Sequence, residues 1–227
     1  MSDLCGMDDG TQKLRTALQK AMARNGDDAA MKAEVAMPFE RPSRVQAEAE
    51  GIHVRVASVL ILIFPIGGQW HLALMQRTAY DGVHSGQVSV PGGEEEATDA
   101  DLLQTALREF EEEMGVQISE SAVIGRLSER YIPPSHFAVT PFVACISAMP
   151  EWKVDSIEVA AVLTASVEED LCRDGALQPT PITVSSGVRV SFPAYNVQGH
   201  VVWGATALIL TELAALWKTL PPTVRKA

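Results

Sequence analysis

Glu109, Glu112 and Glu113 stand at spacing i, i+3, i+4 in Arg108-Glu-Phe-Glu-Glu-Glu-Met-Gly-Val116. If this run is helical, about 100° per residue brings the three carboxylates to one side, within reach of a common ion. Like charges so placed repel each other. A hard divalent cation such as Mg²⁺ or Mn²⁺ relieves the repulsion, because it prefers oxygen ligands and binds phosphate-bearing substrates through a few carboxylates. The alternative is a solvated acidic helix face with no ligand.

The elements that must position these acids are legible around them. Leu103, Ala106, Leu107, Phe110 and Met114 recur at helical spacing, which predicts a helix over Asp101–Met114 with Gly115 as its C-cap. A strand-like stretch, Gln87–Val90, precedes it and runs into Pro91-Gly92-Gly93. Further strands are predicted at Val54–Pro65, Leu72–Gln76, Ile124–Tyr131, Phe142–Ile146, Val159–Leu163 and Val188–Phe192, and a last helix at Ala205–Thr219. Thr11–Asn25 is an amphipathic helix with Leu14, Leu18 and Met22 on one face. Gly26–Gln46 mixes charges with Pro38 and Pro42 and reads as a linker. The expected organisation is an N-terminal helical extension and linker over 1–46 and a main domain over 47–227, of α+β class.

Composition bounds the function. At 227 residues with 47% hydrophobic residues, the chain can build one substantial core. A net charge of −11 argues against non-specific nucleic-acid binding and requires local cations for any anionic substrate. Cys5, Cys145 and Cys172 have no metal or redox spacing, and their scatter suits a reducing compartment. The most apolar run, Val56–Ile66, falls short of the ~20 residues of a spanning helix. With neither a secretory signal pattern at the N-terminus nor a peroxisomal ending, the expected location is cytoplasmic.

The box itself resembles the signature of the Nudix hydrolase family: Gly, five residues, Glu, seven residues, then Arg-Glu-apolar-x-Glu-Glu-x-Gly-apolar. Its second half matches from Arg108 to Val116 at every specified position. In its first half, Ala100 stands where the family has Glu and Glu94 where it has Gly. One extra residue restores Gly93, five residues, Asp99, eight residues and Arg108. That insertion is usual in the coenzyme A pyrophosphatase branch, and the flank Arg77-Thr-Ala-Tyr-Asp-Gly-Val-His84-Ser-Gly-Gln87-Val-Ser-Val-Pro-Gly-Gly93 looks like that branch's additional motif. It departs at Asp81, Gly82 and Val90. The resemblance covers roughly residues 50 to 218.

The resemblance implies a mixed β-sheet sandwiched between helices, with the box as a loop, helix and loop beside the active site. It implies Glu109 and Glu113 as the principal metal ligands, Glu112 as a ligand or the base, and Arg108 as the residue orienting Glu109. Mg²⁺ or Mn²⁺ is the implied cofactor. Arg77, His84 and Gln87 are the implied substrate contacts, although His84 taken alone reads equally as a structural loop histidine. Glu158 stands where many members carry a further acid, and a plain surface charge is an equal reading. Trp203 is expected to pack in the core rather than stack on a base. The implied reaction cleaves coenzyme A or acyl-coenzyme A to 3′,5′-ADP and a 4′-phosphopantetheine product. A pyrophosphatase for another nucleoside diphosphate derivative such as ADP-ribose, and a non-catalytic ligand-binding module, are the alternatives. The expected partner is the small-molecule substrate, with no nucleic acid and no membrane; a homodimer is a further candidate.

Overall fold

The computed structural model describes residues 8–35, 42–78, 86–184 and 187–227, the side chains of residues 26, 27 and 30–35 excepted. The long apolar run becomes β1 (Arg55–Ile66). Successive side chains on a strand face opposite ways. Leu60, Leu62 and Phe64 therefore enter one core and Ile61 and Ile63 another, all fully buried. A strand apolar on both faces needs cover on both sides. On one face the cover is α3 (Leu102–Met114), through Ala106, Phe110 and Met114. On the other it is α1 (Asp9–Val35) and α4 (Gly204–Lys218), through Leu14, Leu18, Leu210, Leu213 and Trp217. The chain thus forms the expected α+β sandwich of helices about a mixed sheet.

β1 pairs in parallel with β7 (Phe137–Cys145) from Arg55↔Phe137 to Ile63↔Cys145. Its other edge is divided. Ala57–Val59 pair with β4 (Gly92–Glu94), and Ile63–Ile66 pair with β2 (Gln69–Arg77). β2 also carries β3 (Val88–Ser89) and β8 (Val159–Ser166), while β7 carries β5 (Val123–Arg126) and β6 (Arg130–Ile132). A second antiparallel sheet holds β9 (Gln178–Thr183), β10 (Arg189–Val197) and β11 (His200–Val202).

The structure departs from the sequence reading in three places. The strand expected over Ile124–Tyr131 is two strands, β5 and β6, each paired with a different half of β7. β4, β9 and β11 were not expected, since Gly-Gly-Glu and Gln-Pro-Thr-Pro-Ile-Thr lack strand composition and His-Val-Val is too short to read as a strand. Pro179 and Pro181 are tolerated because β9 is an edge strand. The expected linker over Gly26–Gln46 is partly helical: α1 continues to Val35, and α2 (Arg44–Ala49) starts behind a Ser43/Gln46 capping box. A single Gly26 costs a helix only about 1 kcal/mol, and Ala29, Ala30, Met31, Lys32 and Ala33 favour its continuation.

α1 is part of the domain's core. Its Arg15, 8% exposed, donates to the carbonyls of Ser121, Ala122, Val123 and Cys145 and so ties the helix to the start of β5 and the end of β7. At the other face, α3 ends at Gly115 with φ 66°, its N–H donating to the Glu111 carbonyl at 2.8 Å. A Cβ there would also collide with the Lys153 carbonyl. The backbone N–H groups of Lys153 and Asp155 donate to the carbonyls of Met114 and Glu113, 3.1 Å each. Trp152 lies edge-on to Phe64 and Phe110. This loop leads directly to Glu158.

Candidate active site

α3 opens at Asp101, whose carboxylate caps the helix by accepting from the Gln104 N–H at 2.9 Å. Burial of Phe110 and Met114 fixes the rotation of the helix and grades the three glutamates by depth. Glu113 is 3% exposed, Glu109 17% and Glu112 60%. Two guanidiniums supply the counter-charge that their spacing demands.

Glu113 faces β4. Its Oε2 accepts from the Gly92 N–H at 2.7 Å, and Arg77 Nη1 donates to its Oε1 at 3.4 Å. Arg77 Nη2 lies 3.9 Å from Glu158 Oε2, which brings Glu158 into the site. Burial pushes the Glu113 carboxyl up to about 8; the Gly92 N–H and Arg77 oppose that shift, and the neighbouring acids Glu109 and Glu158 reinforce it. Arg77 itself ends β2, and its backbone N–H donates to the Gln87 carbonyl at 2.9 Å, just before β3. His84 lies outside the described residues.

Arg108 organises the other half. Its Nε and Nη2 fork onto the two oxygens of Asp99, 2.9 Å each. Nη1 donates to Glu109 Oε1 at 2.7 Å and Glu112 Oε2 at 3.1 Å, and Nη2 to the Glu94 carbonyl at 3.1 Å. The Asp99 side chain, 5% exposed, also accepts from Thr105 Oγ1 at 2.9 Å and from the Glu96 N–H at 3.0 Å. The Arg108 guanidinium holds the Asp99 carboxyl well below the usual carboxylate range, and Asp99 in turn raises Arg108. Burial pushes the Glu109 carboxyl up, against the pull of Arg108. Gly93 stands directly before Glu109, where a Cβ would collide with the carboxylate.

The structure therefore brings Arg77, Arg108, Glu109, Glu112, Glu113 and Glu158 together. The sequence foresaw that Arg108 contacts Glu109, but its bidentate fork belongs to Asp99. Asp99 was visible only as the acid six residues after Gly93. The Gly92 N–H and the Glu94 carbonyl are main-chain groups that no residue pattern reports. Trp203 is partly buried against Phe192, with ring centroids 5.2 Å apart. Cys145 and Cys172 are buried free thiols pushed up to about 12 by burial, which removes them from the chemistry.

Among the described residues, no three His, Cys, Asp or Glu side chains are gathered as an ion cage. The donor set nevertheless fits a hard divalent cation. Glu109 and Glu113 are carboxylates whose burial disfavours the bare anion, and the Gly93 backbone comes close up to one of them. Glu112 is turned towards Arg108.

The NUDIX domain model matches residues 54–168, which contain all of these side chains. The chain belongs to the Nudix family. Proteins named "Uncharacterized Nudix hydrolase NudL" from Salmonella paratyphi B (strain ATCC BAA-1250 / SPB7) and Salmonella newport (strain SL254) are each 36% identical to it over 178 residues, covering 75% of this chain and 87% of theirs. The solved structure of a MutT/nudix family protein from Enterococcus faecalis is similar with a TM-score of 0.51 and 18% identity, over 79% of this chain and 64% of that one. That likeness is one of fold. The chain is a Nudix hydrolase, an enzyme of the pyrophosphohydrolase kind, and the family's substrates are small nucleotide-type molecules.

Proposed function

We propose that this Nudix hydrolase cleaves coenzyme A or acyl-coenzyme A into 3′,5′-ADP and (acyl-)4′-phosphopantetheine. The observation that carries this reading is the clamp of Asp99 on Arg108, with two bonds of 2.9 Å. It supports the box with one extra residue, the form shared with the coenzyme A branch, in which Asp99 rather than Ala100 takes the place of the first acid. Arg77, His84 and Gln87, from the branch motif, are proposed to contact the substrate. Arg77 reaches Glu113, so a phosphate group it holds stands beside the carboxylates.

Glu109 and Glu113 would hold Mg²⁺ or Mn²⁺, with Glu112 as a third donor or as the base. Such an ion supplies neutralisation of diphosphate oxygens and a water of lowered pKa. If Glu112, the exposed member, acts as the base, it would take the proton of the water that attacks phosphorus, while the P–O–P bridge breaks and the leaving phosphate departs. Arg108, fixed by Asp99, orients Glu109 through its Nη1. The protein is proposed to work in the cytoplasm on a small molecule, without nucleic acid or membrane, as a single chain or a homodimer. No described helix is long and apolar enough to cross a membrane.

The test is incubation with Mg²⁺ or Mn²⁺ and, separately, coenzyme A, acetyl-coenzyme A, ADP-ribose and dinucleotides, with product identification. Release of 3′,5′-ADP from the coenzyme A substrates is expected. Rapid cleavage of ADP-ribose with coenzyme A untouched overturns the assignment.

A further inference from the structure

On the face of the molecule away from α3, a groove of about 510 Å³ runs between α1 and the segment that follows α4. Among the described residues its lining includes Lys13, Lys20 and Arg24 and no acid, in a chain whose net charge is −11. At 100° per residue these three cations, spaced i, i+7, i+11, fall within about 40° of one line along α1. Asp9 pairs with Lys13, and Asp28 stands one turn past Arg24, outside the lining. Lys20 and Arg24 are exposed and one turn apart, so both can close on one anionic group. Beside the cations and the polar Gln12, Thr16, Asn25 and Thr219, the groove has an apolar strip of Ala17 and Ala21 from α1 with Leu220, Pro221 and Val224. The volume lies within the roughly 300–1,000 Å³ of small-ligand sites.

We infer that this groove is a second binding site, distinct from the catalytic carboxylates, for a small amphipathic anion. Lys20 and Arg24 hold its phosphate or carboxylate head, and its apolar chain lies along the accessible Ala17, Pro221 and Val224. Charge complementarity selects the head, and the apolar wall selects against bare inorganic anions.

The experiment is calorimetric titration of the full chain with octyl phosphate, inorganic phosphate and octanol, repeated on K20E/R24E. Saturable binding of octyl phosphate is expected, at least about tenfold tighter than either control and weakened at least about tenfold in the variant. Hydrolytic activity without octyl phosphate should be unchanged in that variant, which shows that it folds. If K20E/R24E does not fold, K20Q/R24Q replaces it with the same expectation. Equal binding by the folded variant, equal binding of inorganic phosphate, or no binding of octyl phosphate overturns the inference.

Discussion

Gly93 lets the backbone of β4 come up against the Glu109 carboxylate, where even a methyl group has no room. In Gly93→Ala, Glu109 must swing away from Arg108 Nη1. Because about 1 Å of misplacement at a reacting centre costs on the order of 100-fold in rate, kcat should fall by about that factor, with the circular dichroism spectrum and the thermal midpoint little changed. Steady-state kinetics beside a melting curve checks this; a fully active variant would show that Glu109 needs no fixed position. The glycine pair before the acidic helix has two separate causes, since a Cβ at Gly92 would instead collide with the Ser58 carbonyl and Val59 of β1.

At the scale of elements, the turn between β4 and α3 is held by Asp99, which ties Arg108, Thr105 and the Glu96 backbone together. Its folded-state pKa is depressed by Arg108. The stability it contributes is therefore fully present above the ordinary aspartate value of about 3.9 and is lost as pH falls through the depressed folded value. Asp99→Asn should lower unfolding stability by about 1–2 kcal/mol at neutral pH, the partial exposure of Arg108 moderating the loss. The gap from the wild type should close as the pH is taken below the carboxylate range. Urea unfolding of both proteins at neutral and acid pH measures it, and a gap that widens on acidification would contradict the assignment of Asp99 as a charged clamp. kcat should fall as well, since Arg108 would lose the partner that aims it at Glu109 and Glu112.

For the whole molecule, the helices on the two faces of β1 carry different duties. α3 holds the carboxylates, and α1 closes the opposite core with Leu14 and Leu18, both fully buried. Leu18→Ala should cost about 3 kcal/mol through lost burial and the cavity left behind, read as a lower midpoint in chemical denaturation. kcat at a temperature where the variant is folded should be unchanged, because the altered core is separated from α3 by the sheet. A selective loss of kcat without loss of stability would instead couple α1 to the site.

The sequence by itself determined the helix of the box, the glycine that ends it, the strand that becomes β1 and the α+β class, since each rests on local periodicity or on one residue's backbone preference. It also marked Glu109, Glu112 and Glu113 as neighbours, because i, i+3, i+4 geometry is internal to a helix. The tertiary structure decided their depths, since only packing of Phe110 and Met114 against β1 sets how the helix is rolled. It decided that Arg108 forks onto Asp99 and that Glu113 takes the Gly92 N–H, contacts made across turns between separate elements. It decided that α1 runs past Gly26 and belongs to the core, because an amphipathic face does not name the surface that will cover it. β4 and β9 escaped the pattern for the same reason: their pairing comes from the strands beside them, not from their own residues.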